Sequence, residues 1–283
     1  MMKIGEYNIY SIETSEFGLD GGAMYGIIPK PLWEKHSPSD KLNRIDMVTR
    51  SLLLCNNERK ILIDTGNGTK WNKKYRDIYK INNERFDIEK SLNKYGIQSN
   101  EITDVINTHL HFDHAGGNTK LDENKIVPTF PNAKYWITKD NWDLANHPSQ
   151  KDSGSFLDED WKVLEENSMI EIIDGKESFI SGIDTILTYG HTKGLLHPII
   201  SDGSKTIFFG SDIFPLASHI PVPWVMAYDI NPVKTMEEKQ SILSKMHEEE
   251  WILFFEHDPL IQACTIQLCD KHYSMKKMVV ISE

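Results

Sequence analysis

Residues 106–118 read INTHLHFDHAGGN and place three histidines and an aspartate, His109, His111, Asp113 and His114, within six positions. Imidazole nitrogens and carboxylate oxygens are borderline-to-hard donors, the set that suits zinc and similar divalent ions. One ion cannot comfortably use all four from so short a segment. His109 and His111 lie where a strand leaves its sheet and can both turn to one ion, while Asp113 and His114 lie beyond the bend and can reach a second. Gly116 and Gly117 let the backbone pass close to the site. A lone loop histidine would carry no such implication; four ligand-type residues in six positions do.

Two such sites need more ligands, and three candidates stand at matching places further along. His191 follows DTILTYG, Asp212 follows TIFFGS and His257 follows ILFFE. Each comes after a buried apolar run, as the chain emerges from a strand. Strand ends place side chains rigidly, which a preorganised site requires.

The elements that must carry these residues are visible as apolar runs. RSLLLCNNERKILIDTG (50–66) reads as a hairpin turning on NNER. Phe86, Ile88, Leu92 and Tyr95 are spaced helically and stop at Gly96. DVINTH (104–109) and KYWIT (134–138) are short buried strands, and Thr138 caps a helix carrying Trp142. Strands follow near 170–173 and 184–189, then the hairpin HPIISDGSKTIFFGSD turning on SDGS. TMEEKQSILSKMHEEE opens with a capping box from Thr235 to Glu238 and leads as a helix into the buried strand WILFFEHD. The opening MMKIGEYNIYSIETSEF alternates as a first strand and lacks the apolar core of a signal peptide. HPSQKDSGSFLDED (147–160) is polar and loop-like, an insertion. A strand-rich stretch followed by a helix in each half predicts sheets covered by helices, in a single domain over residues 1–283.

Composition narrows the function classes. With a formal net charge of −11 and scattered lysines, the surface repels phosphate backbones, so no nucleic-acid partner is expected. No apolar stretch approaches the roughly 18 residues of a membrane span, so no membrane partner is expected and the cytoplasm is the expected compartment. Cys55, Cys264 and Cys269 form no C-x-x-C pair and are the wrong number for a disulfide framework, so they read as buried free thiols.

The order H-x-H-x-D-H, GHT, GSD and EHD resembles the metallo-β-lactamase superfamily of metal-dependent hydrolases, over about residues 50–260. Asp64 in ILIDTG matches the strand aspartate that supports the first cluster from behind. The resemblance implies an α+β fold, an αββα sandwich with the site at the edge of the sheets. It implies two zinc-type ions, with His109, His111 and His191 on one, Asp113, His114 and His257 on the other, and Asp212 bridging. The flanks LDGGAMYGIIPKPLW (19–33) and SHIPVPWVMAYDINPVKTMEEK (218–239) resemble quorum-quenching lactonases of the YtnP type. These are similar to N-acyl homoserine lactonases and, more distantly, to methyl parathion hydrolase.

The expected reaction is therefore opening of a small ester-like substrate, a lactone such as an N-acyl homoserine lactone, by a hydroxide shared between the two ions. Asp113 would orient the water and shuttle a proton. Segments 15–45 and 147–162 would shape the cleft, with Met24, Tyr25, Phe112, Phe156, Trp161 and Trp224 offering an acyl-binding surface. Two positions depart from the family pattern: Leu195 replaces the second histidine of G-H-T-x-G-H, with His197 two residues later, and Pro215 replaces a tyrosine three residues after the bridging aspartate. Tyr25 and His219 are the candidates for that tyrosine's role as oxyanion donor; the other reading makes Tyr25 an aromatic wall, with a small packing-type effect when changed to Phe, and His219 a satisfied core histidine. The apolar, proline-bearing GGAMYGIIPKPLW predicts a homodimer.

Thioester hydrolysis, as in glyoxalase II, is an alternative on the same site, although only 26 residues follow His257 where that family adds a helical domain. Phosphotriester hydrolysis is another. Acidic charge disfavours a nuclease, and seven intact ligands disfavour a metal-binding protein without activity.

Overall fold

Runs such as SLLLC and KILI are apolar at consecutive positions, which requires a sheet covered on both faces. The computed structural model describes residues 2–175 and 178–282, and its two main sheets meet that requirement. The first contains β1 (Met2–Ile4), β2 (Tyr7–Asp20), β3 (Arg44–Cys55), β4 (Lys60–Ile63), β5 (Asp104–Ile106), β8 (Lys134–Thr138) and β9 (Ile170–Ile173), adjacent in that order. A separate ribbon pairs β6 (Thr119–Asp122) with β7 (Lys125–Pro128). The second sheet runs in chain order from β10 (Ile183–Thr188) through β11 (Leu195–Ser201), β12 (Thr206–Phe209), β13 (Ile252–Phe254) and β14 (Ala263–Cys269) to β15 (His272–Val279).

Alternation along each strand sorts the apolar residues into layers. Leu52, Leu54, Ile61, Ile63 and Ile106 of the first sheet meet Leu196, Ile200, Ile207, Phe209 and Phe254 of the second in the central core. Leu53, Leu62 and Val105 face outward onto Ile88 and Leu92 of α4 (Ile88–Asn93). Phe208 and Leu253 face outward onto Ile242, Leu243 and Met246 of α8 (Pro232–Glu248). The result is the expected αββα sandwich. The parallel strands β4, β5 and β8, and β12 and β13, open their C-terminal ends toward one edge, where the candidate ligands emerge.

The remaining helices are short: α1 (Gly21–Tyr25), α2 (Lys30–Trp33), α3 (Lys73–Ile78), α5 (Phe112–Ala115), α6 (Lys139–Asn146) and α7 (Lys162–Glu166). Several boundaries differ from the sequence expectation. The first strand is broken at Gly5, where φ is 55°, into β1 and β2. The long helix begins at Pro232, with the Asn231 side chain accepting from Lys234 N at 3.1 Å, not at Thr235. Asn231 and the following proline make the stronger start. Glu238, freed from capping, accepts from Tyr189 N and Gly190 N at 2.9 and 3.0 Å, just before His191. Cys264 is buried, but Cys269 is exposed near the end of an edge hairpin, contrary to expectation. No helix among the described residues is long and apolar enough to cross a membrane.

The 147–160 insertion is irregular, yet it is sewn to the histidine segment. Ser155 O accepts from Phe112 N at 2.9 Å, and Phe156 forms an isolated backbone bridge with His111. Lys70 and Asp160, almost fully buried, pair at 2.9 Å, and Lys70 also donates to Gly116 O and Thr119 O. One cation thus joins three segments. Replacing Lys70 with methionine leaves the Asp160 carboxylate buried and unpaired, and should lower unfolding free energy by roughly 3–5 kcal/mol. Urea denaturation checks this; a loss below about 1 kcal/mol would show the clamp to be dispensable.

Candidate metal centre

Each candidate ligand sits where a strand ends. His109 and His111 follow β5, and Asp113 and His114 ride the single turn of α5. His191 follows β10, Asp212 follows β12 and His257 follows β13. Asp64 leaves β4 with φ 56°, and Ser211 precedes Asp212 with φ 41°, so two non-glycine residues beside the ligands hold strained backbone. Close backbone approach is also built in: a Cβ on Gly116 would lie 2.3 Å from Asn67 O, which only glycine permits.

The seven side chains form two buried groups that share Asp212. In one, His111 Nδ1 lies 3.0 Å from His109 Nε2 and 3.3 Å from His191 Nε2, and Asp212 Oδ2 is 3.2 Å from His191 Nε2. In the other, His114 Nε2 and His257 Nε2 are 3.3 Å apart and lie 3.3 and 3.1 Å from Asp212 Oδ1, with Asp113 at 3.8 Å from each. Ligand atoms 2.0–2.1 Å from a tetrahedral zinc ion are separated by roughly 3.3 Å. Most of these spacings match that edge. Asp212 Oδ1 is buried with no hydrogen-bond partner among the described residues, aimed at the second group. Geometry and donor chemistry therefore fit two divalent ions with Asp212 between them.

The outer ring atoms are oriented from behind. His109 Nδ1 meets Thr108 Oγ1 at 3.0 Å, His191 Nδ1 meets Asp229 at 2.9 Å, and His257 Nδ1 faces Val48 O at 3.0 Å. His114 Nδ1 bonds Asp64 at 3.1 Å, and a Glu256 oxygen that has no hydrogen-bond partner among the described residues lies 3.0 Å from the same nitrogen. Asp64 also accepts from Thr108 N and Oγ1 at 2.7 and 2.6 Å, tying β4 to the histidine segment. Such outer bonds fix tautomer and ring angle. Burial holds His109 and His111 well below the ordinary imidazole range, so both present lone pairs. Against burial, Asp212 and Asp229 lift His191 to about 9, and Glu256, Asp212 and Asp113 lift His114.

Tyr25 and His219 do not reach this centre. Tyr25 is fully buried, its hydroxyl bonded to Ser37 and Ser218 at 2.6 and 2.7 Å and its ring stacked between Trp33 and His219. His219 Nε2 bonds Met24 O at 2.9 Å. Both pack in an aromatic cluster with Trp33 and Trp224, the Tyr25 hydroxyl taken up by two serines and His219 Nε2 by a main-chain carbonyl, and neither lines the cleft over the histidines. His197 is likewise interior, set between Thr188 Oγ1 and Phe209 O, and compensates for nothing at Leu195.

The centre opens into a cleft of about 220 Å³ whose lining includes Met24, Tyr79, Phe112, Lys151, Met226 and Tyr228. Phe156 and Trp161 line an adjoining groove, whereas Trp224 borders a pocket elsewhere. Tyr228 in the cleft lining, Asp229 behind His191 and Glu256 beside His114 are the neighbours of the candidate centre that sequence reasoning missed. Asp229 and Tyr228 lay in view in MAYDINP, and Glu256 directly precedes a ligand, but their partners are distant in the chain.

Residues 45–257 match the family described as the metallo-beta-lactamase superfamily. An N-acyl homoserine lactonase from a Bacillus species is 28% identical over 103 residues, 36% of this chain and 34% of that protein. The N-acyl homoserine lactonase of Bacillus thuringiensis is 23% identical over 170 residues, 59% of this chain and 60% of that protein. The matches thus span about a third to three fifths of these curated relatives. Among solved structures, a probable metal-dependent hydrolase from Staphylococcus aureus is 26% identical with a TM-score of 0.86, covering 99% of this chain and 100% of that one. AidC, a dizinc quorum-quenching lactonase solved with its product, is 21% identical with a TM-score of 0.80, covering 99% and 97%.

Purified protein reconstituted with excess zinc should hold about two ions per chain by elemental analysis. Asp212→Ala should lower occupancy at both groups, because one oxygen of its carboxylate faces each. Full zinc content in that variant would refute the shared role.

Proposed function

The chain belongs to the metallo-beta-lactamase superfamily, and on that premise we propose that it is a dinuclear metal-dependent hydrolase opening small lactones, N-acyl homoserine lactones foremost. The observation carrying this is the pair of ligand groups joined through Asp212 at the floor of an aromatic and methionine-lined cleft. Support also comes from the groove beside it, about 550 Å³, which shares Tyr79 and Gly154 with the cleft and is lined by Trp71, Tyr75, Phe156 and Trp161. An acyl chain suits such a wall. The curated relatives' named activity points the same way.

Bound divalent ions would supply hydroxide near neutral pH and positive charge opposite the carbonyl oxygen. The residues do the rest. Asp212 spans the two groups with one oxygen to each. Asp113, at the cleft floor between His114 and His257, orients the attacking water, takes its proton and passes it to the ring oxygen as the acyl C–O bond breaks. Tyr228 fills the role expected of Tyr25 or His219. It lines the cleft, its hydroxyl makes no hydrogen bond to another described residue, and it lies within electrostatic reach of Asp113 and Asp212. Burial raises its pKa, so it stays protonated and donates to the carbonyl oxygen as negative charge develops. Its backbone is held in register with the centre: Lys151 donates to Ala227 O and Tyr228 O, Asp229 bonds His191, and Ile230 N donates to His191 O.

Self-association belongs to the same proposal. In the segment after β2, Met24, Tyr25 and Trp33 turn inward, while Ile27 is 85% and Leu42 68% exposed. Light scattering at micromolar concentration should give twice the chain mass, and Ile27→Asp should halve it; a monomeric wild type would remove the homodimer.

With N-hexanoyl homoserine lactone, Tyr228→Phe should lower kcat roughly 10²–10³-fold with KM little changed, and Tyr25→Phe should stay within a few-fold. Assayed beside a thioester and a phosphotriester, a wild type active on either but not on the lactone would overturn the substrate assignment. A silent Tyr228→Phe would overturn the donor.

A further inference from the structure

Two tyrosines, Tyr79 and Tyr228, line the cleft over the histidines. Other buried tyrosine hydroxyls are taken up inside the protein: Tyr7 bonds Ser181 O at 2.7 Å, Tyr135 bonds Asn118 O at 3.2 Å, and Tyr25 bonds two serines. The Tyr79 hydroxyl, like that of Tyr228, makes no hydrogen bond to another described residue. A polar group left open on a cleft wall is available to whatever the cleft binds.

The Tyr79 ring is held in place. Its N–H donates to Tyr75 O at 2.9 Å at the end of α3, and its carbonyl accepts from Gly18 N at 2.7 Å. The ring stacks on Phe112 with 5.1 Å between centroids and meets Trp71 edge-on at 5.8 Å. Trp71 is pinned in turn by its indole N–H on Asn67 O at 2.7 Å. Phe112 stands between the ligands His111 and Asp113, so the phenol keeps a set position relative to the centre.

That position is a neck. Tyr79 and Gly154 border both the cleft and the groove beside it. A Cβ on Gly154 would meet nothing within 4 Å, so the glycine leaves that side open and Tyr79 carries the polar group. Tyr79 also lies within electrostatic reach of Asp113 and of Tyr228. The other polar side chains on the insertion side are engaged: Lys151 donates to Ala227 O and Tyr228 O, and Asp152 accepts from Ser149. In an N-acyl homoserine lactone the amide is borne by the ring carbon next to the lactone carbonyl, with the acyl chain beyond it. A lactone carbonyl above the ligand groups and a chain in the groove leave the amide at this neck.

We propose that Tyr79 recognises the substrate amide, its hydroxyl donating to the acyl carbonyl oxygen, and so sets a preference for N-acylated lactones over plain alkyl lactones. This rests on the lactonase reading above and adds which lactones the cleft selects. The bond lies outside the ester that breaks, so it forms alike in the ground and transition states and is read in KM.

Zinc-loaded wild type and Tyr79→Phe, assayed on N-hexanoyl homoserine lactone and on α-hexyl-γ-butyrolactone, test this. The second substrate keeps the ring and carries an apolar chain on the same carbon, without the amide. Wild type should favour the amide substrate in kcat/KM. Tyr79→Phe should raise KM for N-hexanoyl homoserine lactone roughly 3–10-fold, with kcat and both constants on the alkyl lactone nearly unchanged. Calorimetry with N-hexanoyl homoserine, the ring-opened product that keeps the amide, should show the same loss of affinity without turnover. Unchanged KM and product affinity, or an equal loss on both lactones, would overturn amide recognition while leaving lactone hydrolysis standing. A fall in kcat alone would do the same, because it would put the hydroxyl at the reacting carbonyl. A wild type inactive on both lactones would overturn the lactonase reading and this one together.

Discussion

Five buried imidazole rings turned toward one another are an arrangement that the polypeptide must impose. His111 Nδ1 lies within 3.3 Å of two other ring nitrogens, and His114 and His257 face each other at 3.3 Å. Lone pairs at that separation repel unless a proton or a cation lies between them. The fold supplies the constraint by ending four strands at one edge and by holding the rear of each ring except His111. Strained backbone at Asp64 and Ser211, and glycine at 116, are what this crowding demands of the chain that runs behind it.

The wall opposite the histidine segment has no sheet to hold it. Residues between Phe214 and Asn231 are irregular apart from one 3-10 turn at Ala217–His219, and their carbonyls need partners that strands would otherwise provide. Lys239, fully buried on α8, reaches into this stretch and donates to His219 O, Pro221 O and Trp224 O at 2.6, 3.1 and 2.7 Å. Asp229 and Ile230 then anchor its far end to His191. One ammonium group and one carboxylate give the loop bearing Tyr228 a fixed course.

All seven candidate ligands that the fold brings together were legible in the sequence, because they follow apolar runs and the runs themselves announce buried strands. The layered sandwich was legible for the same reason. What escaped was pairing at a distance. Asp229 and Glu256 look like ordinary acidic residues until the fold sets them behind His191 and His114. Tyr25 and His219 drew notice by residue type and by neighbourhood in sequence, but which way a ring faces is decided by packing against Trp33 and by hydroxyl partners at Ser37 and Ser218. The start of α8 was misplaced because two capping signals stand four residues apart, and Asn231 with Pro232 prevails over Thr235.

The insertion between α6 and α7 touches the centre through its main chain, not only through its side chains. Phe156 shares a backbone bridge with His111, Ser155 accepts from Phe112, and Asp160 is locked to Lys70. A loop that would ordinarily be free to diverge is therefore coupled to a ligand. Exchanging it would also disturb the His111 imidazole, whose Nε2 has no hydrogen-bond partner among the described residues. The sequence of the loop and the position of that ring are bound into a single trait, and a lineage could drift in one only by compensating in the other.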